Sequence, residues 1–139
     1  MSYSAYLETQ VLSASPVELI ALMYRGSIGF LESARIHLAT GDIAARSSDV
    51  SRACGLIGEL AQSVSDLPDP EFANQLRELY GYILLRVQEG NFHQTDAPLA
   101  EAIRLLNTLL EGWQEIDGNP HRIDSSVRPE EHQPLQYSF

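Results

Sequence analysis

The sequence predicts an all-α protein, an antiparallel four-helix bundle with an N-terminal arm or short extra helix and a mobile C-terminal tail. Apolar residues recur every three or four positions through four stretches of about twenty residues, which is the spacing of amphipathic helices. Short breaks containing Gly or Pro separate the stretches, and no window alternates apolar and polar residues long enough for a strand. Helices of this length joined by short loops pack most economically side by side in antiparallel order.

The first helix is predicted over 16–40. Ser15 can cap it, Pro16 suits its first position, and Glu18 stands where a capping-box carboxylate reaches back to the cap. Gly41 ends it, because glycine readily adopts the left-handed conformation that follows many helices. Its apolar residues form one stripe and a second set that widens this stripe past a single face: Val17, Ile20, Tyr24, Ile28, Leu31 and Leu38 in the stripe, and Leu19, Met23, Phe30 and Ala34 in the second set.

The second helix is predicted over 43–64 and is weakest at 46–49, where polar residues cluster. The third is predicted to begin at Pro70, with Asp69 as its cap, and to end at the Gly-Asn pair 90–91. Their core-facing residues follow the helical spacing: Val50, Ala53, Ile57, Leu60, Ala61 and Val64 in the second helix, and Phe72, Leu76, Leu79, Tyr80, Ile83 and Val87 in the third.

The fourth helix is predicted to open at 95–98, with Asp96 as its cap, and to close at 118–120. Its core-facing residues are Leu99, Ile103, Leu106, Leu110 and Trp113, flanked by Leu105, Leu109 and Ile116. The chain therefore divides into an arm (1–14), a bundle domain (15–117) and a tail (118–139), which is rich in Pro, Glu and Ser and has no periodicity.

Length and charge restrict the class of protein. A chain of 139 residues forms one domain, and its net charge of −10 repels phosphate backbones, so we expect no nucleic-acid partner. The single cysteine, Cys54, fits a reducing compartment and is predicted to be a small buried apolar residue. No segment has the apolar length that spans a bilayer, and the N-terminus lacks a signal peptide, so we expect a cytosolic protein without membrane contact.

Patterns typical of enzymes and metal sites are lacking from the sequence. It contains no phosphate-binding glycine loop, no Cys pair and no nucleophile elbow. The nearest approach to a metal pair is Glu89 and His93, which the predicted helix end at Gly90 would keep off a shared face. We therefore predict neither catalysis nor a cofactor.

Six glycines fall inside the predicted helices, where each costs about 1 kcal/mol relative to alanine. Two reasons could place them there. We favour close approach between helices, and the alternative is a groove that admits another chain. The residues concerned are Gly26, Gly29, Gly55, Gly58, Gly81 and Gly112.

Several stretches match, in order and spacing, the motifs typical of one protein family. They are Val-Leu-Ser-Ala-Ser-Pro-Val-Glu-Leu-Ile at 11–20, Leu-Met-Tyr-Arg-Gly-Ser-Ile-Gly-Phe-Leu at 22–31, the Gly41-Asp42 turn, Leu-Tyr-Gly-Tyr at 79–82 with Arg86 and Asn91, and Trp113. Together they resemble the FliS family of flagellin export chaperones over residues 3–116. Arg25 and Gly81 depart from the pattern, because the family usually has Asp at both positions.

The resemblance implies a cytosolic export chaperone that binds the disordered C-terminal segment of flagellin, prevents premature polymerisation and keeps the client ready for export. It implies apolar grooves between helices as the client site, with components of the export gate as further candidate partners. It also implies that the arm, through a tyrosine matching Tyr6, forms or covers part of this surface.

We therefore expect apolar residues of the arm and of all four helices to bind the partner, and the arm to move when the client binds. The predicted partner-binding residues are Tyr3, Tyr6, Leu7, Val11, Leu12, Leu19, Met23, Phe30, Ile57, Leu60, Leu79, Tyr82, Ile83, Leu106 and Leu110.

Two other classes of function stay open at this point. A structural or adaptor bundle would use its spare apolar face to bind a folded partner or a second copy of itself. A small helical enzyme or metal carrier would need stoichiometric metal in the purified protein. For the oligomeric state we expect a monomer or a weak homodimer.

Overall fold

The computed structural model describes residues 15–118, which form four α-helices and one 3-10 turn: α1 (Pro16–Thr40), α2 (Ile43–Ser63), the 3-10 turn (Val64–Asp66), α3 (Pro70–His93) and α4 (Asp96–Gly118). α1 packs between α2 and α4, and α3 completes the ring by contacting α2 and α4. Successive helices run in opposite directions, so the predicted all-α antiparallel bundle is confirmed. The predicted arm and the tail from residue 119 onward lie outside the described residues.

Both predicted ends of α1 are confirmed. The hydroxyl of Ser15 accepts a hydrogen bond from the main-chain N–H of Glu18 at 3.1 Å, and the Glu18 carboxylate accepts one from the Ser15 N–H at 2.7 Å. This capping box satisfies N–H groups that the first turn of a helix leaves without partners. At the other end Gly41 has φ 79°, and the main-chain N–H of Asp42 donates to the carbonyl of His37 at 2.9 Å.

The weak stretch predicted in α2 is helical because its polar residues bond to neighbouring helices. The Arg46 guanidinium is buried and donates to the side-chain and main-chain oxygens of Asn91 in α3, at 2.8 and 3.3 Å. The buried Asp49 carboxylate accepts from Ser33 of α1 at 2.8 Å and lies 2.7 Å from Nδ1 of His37. Buried charges need such partners, so these contacts fix α2 against α1 and α3.

The predicted end of α3 at Gly90 is wrong, since the helix continues to His93 and ends at Gln94, which has φ 54°. Gly90 is buried within the helix, and a Cβ on it would lie 2.9 Å from Cγ of Leu99 and 3.1 Å from the carbonyl of Thr95. Glycine is placed there by the close approach of α4, a tertiary cause that a local pattern does not reveal.

Two further expectations are corrected at the same end of the bundle. Because α3 is continuous, Glu89 and His93 do share a helical face, although no three His, Cys, Asp or Glu side chains cluster as a metal site within residues 15–118. Asp96 is the first residue of α4 rather than its cap, and its carboxylate pairs with the Arg35 guanidinium through two bonds of 2.7 Å.

Close packing accounts for only one of the six glycines inside the predicted helices. A Cβ at Gly26 would lie 2.9 Å from Cδ1 of Leu56, so α1 and α2 do approach closely there. The preference for close packing is wrong at the other five, where a Cβ would meet nothing within 4 Å: Gly29, Gly55, Gly58, Gly81 and Gly112.

Alanine substitutions at two helical glycines should shift stability in opposite directions. Gly90→Ala should lower the free energy of unfolding by about 1–3 kcal/mol, because its methyl group collides with Leu99 and the adjacent main chain. Gly55→Ala, the matched control in open space, should raise it by about 0.5–1 kcal/mol through helix propensity. Urea unfolding followed by circular dichroism measures both, and equal shifts would refute the packing role of Gly90.

Candidate partner-binding groove

An apolar groove of about 350 Å³ opens at the end of the bundle where α1 begins and α2 and α4 end. We refer to it as the end groove. α1 supplies one wall, the 3-10 turn and its flanks supply another, and α4 supplies one residue. The lining residues are Pro16, Val17, Leu19, Ile20, Met23, Ser63, Val64, Asp66, Leu67 and Trp113.

The α1 wall explains why this helix is apolar on more than one side. Leu19 and Met23, one turn apart, line the groove and are half-buried. Further along the same side of the helix, Leu56 of α2 covers Gly26, and the Arg52 guanidinium lies 5.8 Å from the ring centre of Phe30. The second apolar set of α1 is therefore open only in its first turns, and its remainder packs against α2.

The second wall comes from the 3-10 turn that follows α2. The main-chain N–H of Leu67 donates to the carbonyl of Val64 at 3.1 Å, which tightens the chain before Pro68 and the start of α3 at Pro70. Ser63 donates its hydroxyl proton to the carbonyl of Leu60 at 2.7 Å. Because the hydroxyl is already bonded, this wall presents mainly apolar surface to the groove.

Trp113 lines the groove while only 7% exposed, so it forms an inner wall. Its indole N–H donates to the Tyr24 hydroxyl at 3.1 Å, and that hydroxyl is hydrogen bonded to the hydroxyl of Tyr80 at 2.5 Å. Burial raises the pKa of both tyrosines above the ordinary value, so both hydroxyls stay protonated at physiological pH. This network ties the groove wall to the centre of the core.

The predicted partner-binding residues fall into four groups. Leu19 and Met23 lie in the end groove, whereas Phe30 packs toward α2. On α3, Leu79 packs against the core and Tyr82 is 43% exposed, and neither lines the groove. Five others are buried in the core, where a partner reaches them only if the bundle opens: Ile57, Leu60, Ile83, Leu106 and Leu110. The arm residues Tyr3, Tyr6, Leu7, Val11 and Leu12 lie outside the described residues.

Eight of the ten residues that line the end groove were not among the predicted partner-binding residues. For some of them the sequence contained a pattern that could have indicated the groove. Val17 and Ile20 belong to the apolar stripe of α1, which the pattern assigned to the core. Val64 ends the apolar stripe of α2, which the pattern likewise assigned to the core. Leu67 is an apolar residue just beyond that helix and outside its periodicity, which is typical of a surface left open by a break in the chain. Nothing local marks Pro16, Ser63 or Asp66 as groove residues, and the helical spacing assigned Trp113 to the core.

Two features elsewhere carry no site chemistry. Cys54 is half-buried, and burial raises the pKa of its thiol, so it stays protonated and is a poor nucleophile. Within residues 15–118, the helices are not long and apolar enough to cross a membrane.

Comparison with known proteins identifies one family. The family model described as flagellar protein FliS matches residues 1–120. The flagellar secretion chaperone FliS of Salmonella typhimurium is 32% identical over 111 residues, which cover 79% of this chain and 82% of that protein. FliS of Campylobacter jejuni is 28% identical over 119 residues (86% and 93%), and FliSB of Pseudomonas aeruginosa is 31% identical over 110 residues (79% and 87%).

Proposed function

Because the chain belongs to the flagellar protein FliS family, we propose that it is a flagellar secretion chaperone whose client is the C-terminal segment of flagellin. The chaperone acts in the cytosol by binding this disordered segment stoichiometrically, before it can polymerise, and delivers it to the export gate. No catalytic turnover or cofactor takes part.

The end groove is the observation that carries this proposal. An unfolded client offers short apolar sequences, and a groove with apolar walls binds them by removing both surfaces from water. Leu19 and Met23 are half-buried without a client, so they retain apolar area that a bound segment can cover. Ordering the client opposes binding, and the apolar area buried on both sides offsets that cost.

The arm belongs to the same proposal. Pro16 lines the groove, and residue 15 directly precedes it, so the arm joins the bundle at the rim of the groove. We propose that its apolar residues cover part of the groove in the free protein and move aside for the client. Tyr6 then contacts the bound client, as the family resemblance implies.

Calorimetric titration of the full chain with a synthetic peptide from the C-terminal end of flagellin tests the proposal. We expect one peptide per chain and a negative heat-capacity change, because apolar surface is buried and a disordered chain becomes ordered. A chain lacking residues 1–12 should keep its helical circular dichroism and bind the peptide more weakly. A scrambled peptide of the same composition is the control, and no binding at tens of micromolar (about 6 kcal/mol) would refute the proposal.

A further inference from the structure

The charges of the bundle are unevenly distributed along its length. When each helix is divided at its midpoint, the half that contains the end groove consists of residues 15–28, 54–81 and 107–115, which we call the groove half. It carries eight acidic residues and two arginines, a net charge of −6. The opposite half, residues 29–53 and 82–106, carries six acidic residues and five arginines, a net charge of −1. The end groove therefore lies at the acidic end of the bundle.

The contacts of the arginines add to this difference. In the opposite half the Arg86 guanidinium pairs with the carboxylates of Glu89 and Glu101, at 2.8 and 2.6 Å. In the groove half Arg77 donates to the neutral side chain of Asn74 rather than to a carboxylate. Direct contact with an arginine thus offsets acidic residues in the opposite half, whereas Arg77 leaves the charge of the groove half in place.

Asp66 brings this negative charge into the end groove itself. It belongs to the 3-10 turn that forms one wall of the groove, and its side chain is exposed. Among residues 15–118 its carboxylate forms no hydrogen bond and no ion pair. The other nine lining residues are uncharged. The groove therefore combines apolar walls with one carboxylate that is available to a partner.

We propose that the end groove selects an apolar segment flanked by basic residues. The apolar side chains of this segment cover Leu19 and Met23, and a guanidinium or ammonium group beside them pairs with the Asp66 carboxylate. The negative charge of the groove half attracts the basic flanks and speeds association. This inference rests on the proposed function of the groove as a client site, and it adds the chemistry by which a client is chosen.

The arm differs from such a segment in charge. Residues 1–14 contain one charged side chain, which is the acidic Glu8. The groove half therefore gives the arm no electrostatic attraction, and the arm can cover the groove only through apolar contacts. Salt screens charges but does not weaken apolar burial, so low salt should favour a basic client over the arm.

Two synthetic peptides test the selection. They share a centre of Leu and Ala, and the first has three flanking arginines where the second has citrulline, the neutral isostere of arginine. Calorimetric titration of the full chain measures both. At about 20 mM NaCl, where charges act over roughly 20 Å, the arginine peptide should bind about 10-fold more tightly than the citrulline peptide. At about 500 mM NaCl this ratio should fall to about two.

Three variants locate the effect. Asp66→Asn should lower the ratio about 3-fold at low salt. Glu32→Gln is the matched control, because it removes one charge from an exposed position of α1 in the opposite half, and it should leave the ratio within about 1.5-fold. Met23→Ala should weaken binding of the arginine peptide about 5–10-fold, because the apolar centre of the peptide loses part of the groove. Thermal unfolding of each variant verifies that the bundle is folded.

Four results would overturn the proposal. They are an arginine peptide that does not bind at about 1 mM, equal affinities for the two peptides at low salt, a ratio lowered equally by Asp66→Asn and Glu32→Gln, and unchanged binding of the arginine peptide to Met23→Ala.

The flagellin peptide separates this inference from the proposed function. If it does not bind, while the arginine peptide binds with the expected salt dependence, the proposed client is wrong and the selection by charge holds. If it binds equally well at about 20 and about 500 mM NaCl, the proposed client holds and the selection by charge is wrong.

Discussion

Replacing Tyr80 by alanine should lower the free energy of unfolding by about 3–5 kcal/mol. Tyr80 is 1% exposed at the centre of the core, so removal of its ring leaves a cavity that surrounding helices cannot fill without losing their own contacts. The substitution also leaves the buried Tyr24 hydroxyl without the partner that lies 2.5 Å away. Urea unfolding followed by circular dichroism measures the loss.

The phenylalanine variants separate packing from hydrogen bonding in the same experiment. Tyr80→Phe and Tyr24→Phe keep the rings and should each cost about 1–2 kcal/mol. The first leaves the Tyr24 hydroxyl with one partner fewer, and the second does the same to the Tyr80 hydroxyl and to the Trp113 indole N–H. In the double variant neither hydroxyl is left over, so the combined cost should fall about 1 kcal/mol short of the sum. Strict additivity would show that the two hydroxyls do not act as a pair.

Replacing Met23 by glutamate should weaken binding of the flagellin peptide at least about 30-fold, or about 2 kcal/mol. Met23 lines the end groove, and a bound apolar segment would remove the new carboxylate from water without offering it a partner. Leu85→Glu places the same charge on an exposed apolar position of α3 outside the groove, so it should leave affinity unchanged. Calorimetric titration measures both variants.

Met23→Ala is a control for the possibility that the charge in Met23→Glu disturbs folding rather than binding. It shortens the side chain without adding a carboxylate and should weaken binding about 5–10-fold, with circular dichroism unchanged. If Met23→Glu is folded and binds the peptide as tightly as the natural chain does, the end groove is not the client site.

The starts of α1 and α3 and the end of α1 could be predicted because local chemistry sets them. Ser15 with Glu18, Asp69 before Pro70, and Gly41 each satisfy or release main-chain groups within a few residues of themselves. The same reasoning gave a wrong helix end at Gly90. A glycine is needed there because Leu99 on the next helix leaves no room for a side chain. A glycine pattern alone does not distinguish a helix end from a close contact.

The groove was less predictable than the bundle, for a physical reason. Apolar periodicity shows that Leu19, Met23 and Phe30 share a side of α1. Whether each of them is buried depends on where the neighbouring helices begin and how far they extend. α2 covers the side at Phe30, and the chain turns away at Val64 before reaching Leu19 and Met23. Which apolar residues stay open is therefore decided by where another helix stops.

One of the four helix–helix contacts in the ring, which we call seams, joins helices that are far apart in the sequence. α1 meets α4 through Tyr24 and Trp113, 89 positions apart, and through Arg35 and Asp96, 61 positions apart, whereas the other seams of the described bundle join consecutive helices. Closing this seam carries the largest loop entropy during folding. Trp113 is the only tryptophan of the chain, so its fluorescence reports when the ring closes, while far-ultraviolet circular dichroism reports when any helix forms. The protein thus carries its own optical probe for the order in which its helices assemble.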